Sequence, residues 1–399
     1  MPSHKHLPVK VTNLDAHAGT RMDPEVLDVV CRVLAESHAN SASDHSLGTA
    51  ARDLVDAARG EIAALLNAGA DEIVFTPGAT EAVNLAIQGF LHYRRNDLPA
   101  GSGVVTTRVE HQSVLEAVER SRIDFGIEPR LIDCGPYGRV EPEAAAAVLD
   151  DRTVLMCVSH ANGEIGTVNP IQQIGEVIKA HSQAVLMVDA SQSGGYLPID
   201  TAKVAADLLV VSSHKMHGPK GVAALFVRRG VCLDPVICGG GQEKGLWPGT
   251  LNQALVAGFG VAARLTRERR ELRYQKVLAL REVFWACVQN SGPEISINGH
   301  PDERLPGNLS ITVEGVPASR LREIGSVAIS AGSACSSRRR EPSHVLRAIG
   351  LSERQAACTL RIGLSEDLSL EEVKSAGDAL ASEIRRLRGR STSAKIGAR

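Results

Sequence analysis

Apolar positions along the chain fall into two periods, and the alternation between them sets out a fold. Helical spacing marks residues 24–34, 50–66 and 171–181. Between these lie short apolar runs of strand length at 72–75, 104–107, 154–158, 184–188, 207–211 and 223–227. Strands alternating with helices at this spacing predict βαβ units and a largely parallel sheet. From Ala254 to Val288 the pattern becomes helical and densely charged, which predicts a long helix joining two domains, with its charges on a solvated face. A smaller α+β unit is expected beyond Gly292, with strands near 309–313, 327–330 and 359–363 and a helix over 342–349.

Length agrees with that division, since 399 residues exceed one ordinary core. A formal charge of -2 gives no electrostatic reason for direct nucleic-acid binding. The eight cysteines are scattered without a CxxC pair, which suits neither a zinc site nor a disulfide framework and favours a cytoplasmic protein. Residues 1–10 are polar, and no run approaches the ~18 apolar residues of a membrane span. Neither an export signal nor a membrane anchor is expected.

The polar clusters that follow the strands hold the candidate chemistry. Val211-Ser212-Ser213-His214-Lys215 places an amine at the carboxyl end of a buried strand, where open α/β sheets bind ligands. Lys215 fits a Schiff-base lysine, because a partly buried amine titrates lower and a neutral amine adds to aldehydes; taken alone, the stretch fits a solvated loop lysine better, and the rest of the chain reverses that order. Gly78-Ala79-Thr80 opens a helix and fits either a phosphate cradle or an ordinary capped helix. With His111, Asn162 and Asp189 after three further strands, a phosphate site, an imidazole, an amide, a carboxylate and an amine converge on one rim. An aspartate there can hold a proton on a pyridine nitrogen, and lysine, aspartate and phosphate site together point to pyridoxal 5'-phosphate. A glycine-rich loop spans 238–250, and a polar loop spans 38–48. Among the cysteines, Cys335 lies in a run of small residues beside Arg338, Arg339 and Arg340, which favour the thiolate; the alternative is an incidental surface thiol. Arg361 presents a candidate carboxylate fork.

These motifs resemble those of the cysteine desulfurases, fold-type I pyridoxal-phosphate enzymes of the class-V aminotransferase group, over nearly the whole chain. The residues that carry the resemblance are Gly78-Ala79-Thr80-Glu81, Glu110-His111, Asn162-Gly163-Glu164-Ile165-Gly166, Asp189-Ala190-Ser191-Gln192, Ser213-His214-Lys215 and Gly332-Ser333-Ala334-Cys335-Ser336-Ser337. The last is similar to the subgroup with a long cysteine loop, and the branch serving DNA phosphorothioation is within reach. The resemblance implies an α/β fold, with a mostly parallel seven-stranded sheet in a large domain over 21–260. It also implies an N-terminal segment, 1–20, packed on a small α+β domain, 261–399, that carries the Cys335 loop.

The same resemblance implies that Lys215 carries the cofactor, Asp189 pairs with its ring nitrogen, His111 stacks on the ring and moves protons, and Gln192 meets the phenolic oxygen. Thr80, Ser212 and His214, with Gly78 and Ala79, would hold the phosphate, joined by Thr250 from the second subunit of a homodimer. Asn162 and Arg361 would bind the carboxylate of L-cysteine, with Asn40 nearby. Cys335 would take the sulfur as a persulfide, release alanine and pass the sulfur to a partner protein serving iron-sulfur assembly, tRNA thiolation or DNA phosphorothioation. No metal site is expected, although Cys335 could ligate a cluster shared with a partner.

The chain departs from the family pattern at Trp247, where an arginine is usual, at Gly19, where a threonine is usual, and at Ser41, where a proline is usual. A selenocysteine lyase or another lyase or aminotransferase of the same fold is the enzymatic alternative. A catalytically silent scaffold that binds a sulfur acceptor is the other.

Overall fold

The computed structural model describes residues 11–292, 294–331 and 343–396. Cys335 and Arg338–Arg340 therefore lie outside the described residues. The chain divides into two compact units: a larger one of residues 20–162 and 167–271, and a smaller one from the described parts of 1–19, 163–166 and 272–399.

The larger unit is built on a seven-stranded sheet. Its strands are β1 (Ile73–Thr76), β2 (Gly103–Thr107), β3 (Glu128–Ile132), β4 (Thr153–Ser159), β5 (Val185–Asp189), β6 (Leu208–Ser212) and β7 (Ala223–Val227). They lie in the order β1-β7-β6-β5-β4-β2-β3. Only β7 runs antiparallel to its neighbours. The carboxyl ends of the other six thus share one rim.

The central strands are apolar on both faces because helices cover both. Met156, Val158, Leu186 and Val188 enter one cluster with helices Pro24–Glu36, Ser46–Leu66 and Ile171–His181. Their alternates Leu155, Cys157 and Met187 enter the other, with helix Gln112–Phe125 and the helical stretch from Ala79 to Arg94, which contains a π-helical turn at Leu85–Gly89. Sequence periodicity overlooks β3, whose Glu128, Pro129 and Arg130 carry no strand pattern. As an edge strand it is half solvated and tolerates a proline.

In the smaller unit Thr359–Gly363, Asn308–Val313 and Ile295–Asn298 form an antiparallel sheet, and Thr12–Asn13 pairs with Val327–Ala328 in parallel. Two expectations change here. The strand expected to reach Ser330 stops at Ala328, and Ser330 instead makes an isolated bridge to Arg361. The helix expected from 342 spans His344–Ala348, because the Ser343 hydroxyl caps it, accepting from the Leu346 amide at 3.4 Å. The long charged helix forms over Gln253–Gln289.

Candidate active site

The rim of the larger sheet gathers its polar residues by register. Ser159 of β4 faces Asp189 of β5, and Asp189 faces Val210 of β6. Asn162 follows β4 by three residues, and Lys215 ends the 3-10 turn Ser213–Lys215 that follows β6. The chain leaving Asp189 runs against that turn: a Cβ on Gly195 would lie 3.0 Å from the Lys215 carbonyl. Asp189 and Lys215 thus come from adjacent strand ends.

Each group is oriented by neighbours. Asp189 is buried, and its Oδ1 accepts the Ser191 amide at 2.9 Å. The Asn162 Nδ2 donates to the Val109 carbonyl at 2.7 Å. His111 caps helix Gln112–Phe125, its Nδ1 accepting the Ser113 amide at 3.1 Å, so a neutral ring carries its proton on Nε2. The His214 Nδ1 lies 3.0 Å from the Ser212 hydroxyl. Burial, then the charges of Lys215 and Lys220, push His214 down to about 4, so it is a neutral imidazole near pH 7. Gln192 is half-buried, while Thr80 stands exposed in the first helical turn after Gly78 and Ala79.

Two further candidates lie exposed in loops. Asn40 is exposed and closes a turn, its Oδ1 accepting the Ala42 amide at 2.9 Å. Thr250 is exposed after Gly249, whose φ of 113° only glycine adopts readily. Trp247 packs on the apolar cluster beside Leu246, so that departure from the family pattern serves packing.

Three residues at the rim were given no role by the sequence. Thr20 lashes the Lys215 turn: its hydroxyl donates to the His214 carbonyl at 3.1 Å and accepts the His217 amide at 2.8 Å. Glu110 is fully buried, accepts from the Thr107 hydroxyl at 3.0 Å, and is pushed up to about 7 by burial, with the Asp189 charge adding to it. His160 is buried and pushed down to about 4 by desolvation. Glu110 and His160 stand in quoted or neighbouring motifs, yet only burial gives them a role.

In the smaller unit Arg361 is buried, and its Nη2 meets the Asp15 carboxylate at 2.7 Å. Its Nε has no hydrogen-bond partner among the described residues.

Residues 12–375 match the family model Aminotransferase class-V. The chain belongs to the class-V aminotransferase family. Among relatives of this class-V aminotransferase, the cysteine desulfurase IscS of Anaeromyxobacter sp. (strain Fw109-5) is 40% identical over 382 residues, covering 94% of this chain and 93% of that one. A solved NifS-like protein superposes with a TM-score of 0.86 at 28% identity, covering 95% of this chain and 99% of the other. DndA from Streptomyces lividans gives a TM-score of 0.75 at 31% identity, covering 88% and 99%.

Class-V aminotransferases of the desulfurase type work with pyridoxal 5'-phosphate, and the rim fits that group. An amine, a carboxylate and a neutral imidazole are present, and the buried Ser191 and Ser213 hydroxyls find no partner among the described residues, as a site for a polar ligand would leave them.

Proposed function

We propose that this class-V aminotransferase is a pyridoxal-phosphate-dependent cysteine desulfurase that converts L-cysteine to L-alanine and carries the sulfur away on Cys335. The adjacency of Asp189 and Lys215 at neighbouring strand ends is the observation that supports the reading most. Identity to a cysteine desulfurase across 94% of the chain supports it independently.

When bound, the cofactor supplies an electron sink for the pair released at the substrate α-carbon. Lys215 would hold it, and the Lys215 Nζ would take the substrate α-proton. Asp189 would hold the proton on its ring nitrogen, Gln192 would contact its phenolic oxygen, and His111 would stack on its ring and move protons through Nε2. Thr80, Ser212 and His214, with the Gly78 and Ala79 backbone, would hold the phosphate, and Thr250 would join them from a second copy in a homodimer. Arg361 and Asn162 fix the substrate carboxylate, and Asn40 lies nearby. The Cys335 thiolate attacks the substrate sulfur, a sulfur-sulfur bond forms as the carbon-sulfur bond breaks, and a proton completes alanine. L-cysteine and one thiol thus give alanine and one persulfide.

A partner protein then receives the sulfur. No helix among the described residues is long and apolar enough to cross a membrane. Work in the cytoplasm fits the reduced Cys335 that the reaction needs.

The test loads the purified chain with pyridoxal 5'-phosphate and supplies L-cysteine labelled at sulfur. Label on Cys335 with an equivalent of alanine is expected, and Lys215→Ala removes both. Undiminished alanine formation from L-cysteine by Cys335→Ser would overturn the desulfurase reading in favour of a lyase that needs no protein thiol. Following the label to a co-purified protein identifies the acceptor.

A further inference from the structure

Arg361 does not stand by itself in the smaller unit. One Asp15 oxygen accepts from its Nη2 at 2.7 Å, and the other accepts from the Ser330 hydroxyl at 2.9 Å. The backbone repeats the connection: the Arg361 amide donates to the Ser330 carbonyl at 2.7 Å, and Asp15 bridges Gly363. Three chain segments are thereby fastened around an Arg361 side chain that is only 4% exposed. The Gly163 carbonyl takes Nη1 at 3.4 Å, a long contact. Nε is buried and has no hydrogen-bond partner among the described residues. A buried N–H left without an acceptor costs free energy, and an Arg edge of Nε and Nη matches a carboxylate in two parallel bonds.

We propose that Asp15, held by Ser330, is a positioning residue that fixes the plane of the Arg361 guanidinium and so sets the preference of this enzyme for substrates bearing a free α-carboxylate. The inference rests on the proposed function, in which Arg361 receives that carboxylate. Asp15 takes an N–H of Nη2, and the Nε N–H, without a partner among the described residues, is left to the ligand. A single rigid edge, rather than a freely turning charge, then separates an amino acid from its neutral amide. Asp15 also places a like charge near the incoming carboxylate, so its charge and its hydrogen bond act in opposite directions on affinity.

The experiment titrates the cofactor-loaded chain with L-alanine and with L-alaninamide, following the visible cofactor band, and records thermal unfolding of the cofactor-free chain. Asp15→Ala is expected to weaken L-alanine binding about tenfold and leave L-alaninamide unchanged. Asp15→Asn keeps an acceptor for Nη2 without the charge, so it is expected to bind L-alanine at least as tightly as the unaltered protein. Equal weakening of both ligands in Asp15→Ala, together with a lowered melting temperature, would assign Asp15 a structural role only and overturn the inference. So would Asp15→Asn behaving as Asp15→Ala. Arg361→Ala separates the two levels: if it leaves L-alanine binding intact, the carboxylate role of Arg361 itself fails, whereas loss of binding there with a silent Asp15→Ala removes only the positioning role.

Discussion

Arg59 and Glu243, 184 residues apart, meet in a bidentate pair with distances of 2.9 and 2.7 Å. The pair also completes the free edge of β1: Arg59 donates to the Ile73 carbonyl at 2.7 Å, and Glu243 accepts the Phe75 amide at 2.6 Å. Two side chains thus take the place of a missing strand, and they pin the glycine-rich loop at Glu243 and Lys244, which hold φ values of 47° and 60°.

Breaking that pair leaves a charge buried against unpaired backbone. Glu243→Ala or Arg59→Ala is expected to cost about 3 kcal/mol or more, read from the urea midpoint. Exchanging both residues for methionine should cost less than the sum of the single changes. Strict additivity would mean that the two side chains act independently.

Glu110 makes stability fall toward neutral pH. Burial raises its folded pKa to about 7 from an ordinary 4.5, so between those values the folded protein holds a proton that the unfolded chain has released. The contribution is complete below pH 4.5 and is lost as pH rises through 7, on the order of 3 kcal/mol. Glu110→Gln is expected to flatten unfolding free energy against pH across that window. An unchanged slope would show that Glu110 titrates near its ordinary value.

His160 acts in the opposite sense. Desolvation lowers it to about 4, so from pH 6.5 downward the unfolded chain binds a proton that the folded protein refuses. Stability is therefore lost as pH falls through that range, and His214 adds to the loss in the same direction. His160→Gln should relieve part of the acid-side loss. A steeper acid-side loss in that variant would reverse the assignment.

The strands and their polar ends were legible because a buried parallel strand must be apolar throughout and must end where chemistry is wanted. That is why Asp189 and Lys215 stand out against Val185–Val188 and Leu208–Val211. Glu110, Thr20 and Glu243 were not legible in the same way. Each is a polar residue made important by a partner distant in the chain or by complete burial, and neither property has a period. The edge strand β3 was hidden for the converse reason: half exposed, it needs no apolar pattern. Cys335 stood out through the small residues and arginines beside it in the chain, a signal that needs no fold to read.

Asp189→Asn isolates the charge at the centre of the rim. An asparagine keeps an oxygen for the Ser191 amide, so the turn after β5 should stand and the melting temperature of the cofactor-free chain should move little. Alanine formation from L-cysteine is expected to fall by about 10²-fold or more if Asp189 has the proposed role of holding the proton on the ring nitrogen. Wild-type turnover in this variant would remove Asp189 from the catalytic machinery.

Gly218 tests how tightly the Lys215 turn is built. Its amide donates to the Ser213 carbonyl at 3.0 Å, and a Cβ there would lie 2.1 Å from the Ser213 hydroxyl oxygen and 2.9 Å from that same carbonyl. The hydroxyl can rotate away, but the carbonyl belongs to the turn that ends in Lys215. Gly218→Ala is therefore expected to cost about 2 kcal/mol and to weaken pyridoxal-phosphate affinity, since relieving the clash moves the turn. Adding Ser213→Ala removes the nearer obstacle and leaves the backbone one, so the double variant should recover part of the stability and little of the affinity. Full recovery of both would place the constraint in the serine side chain, and the backbone of the turn would then be more yielding than its hydrogen bonds to Thr20 imply.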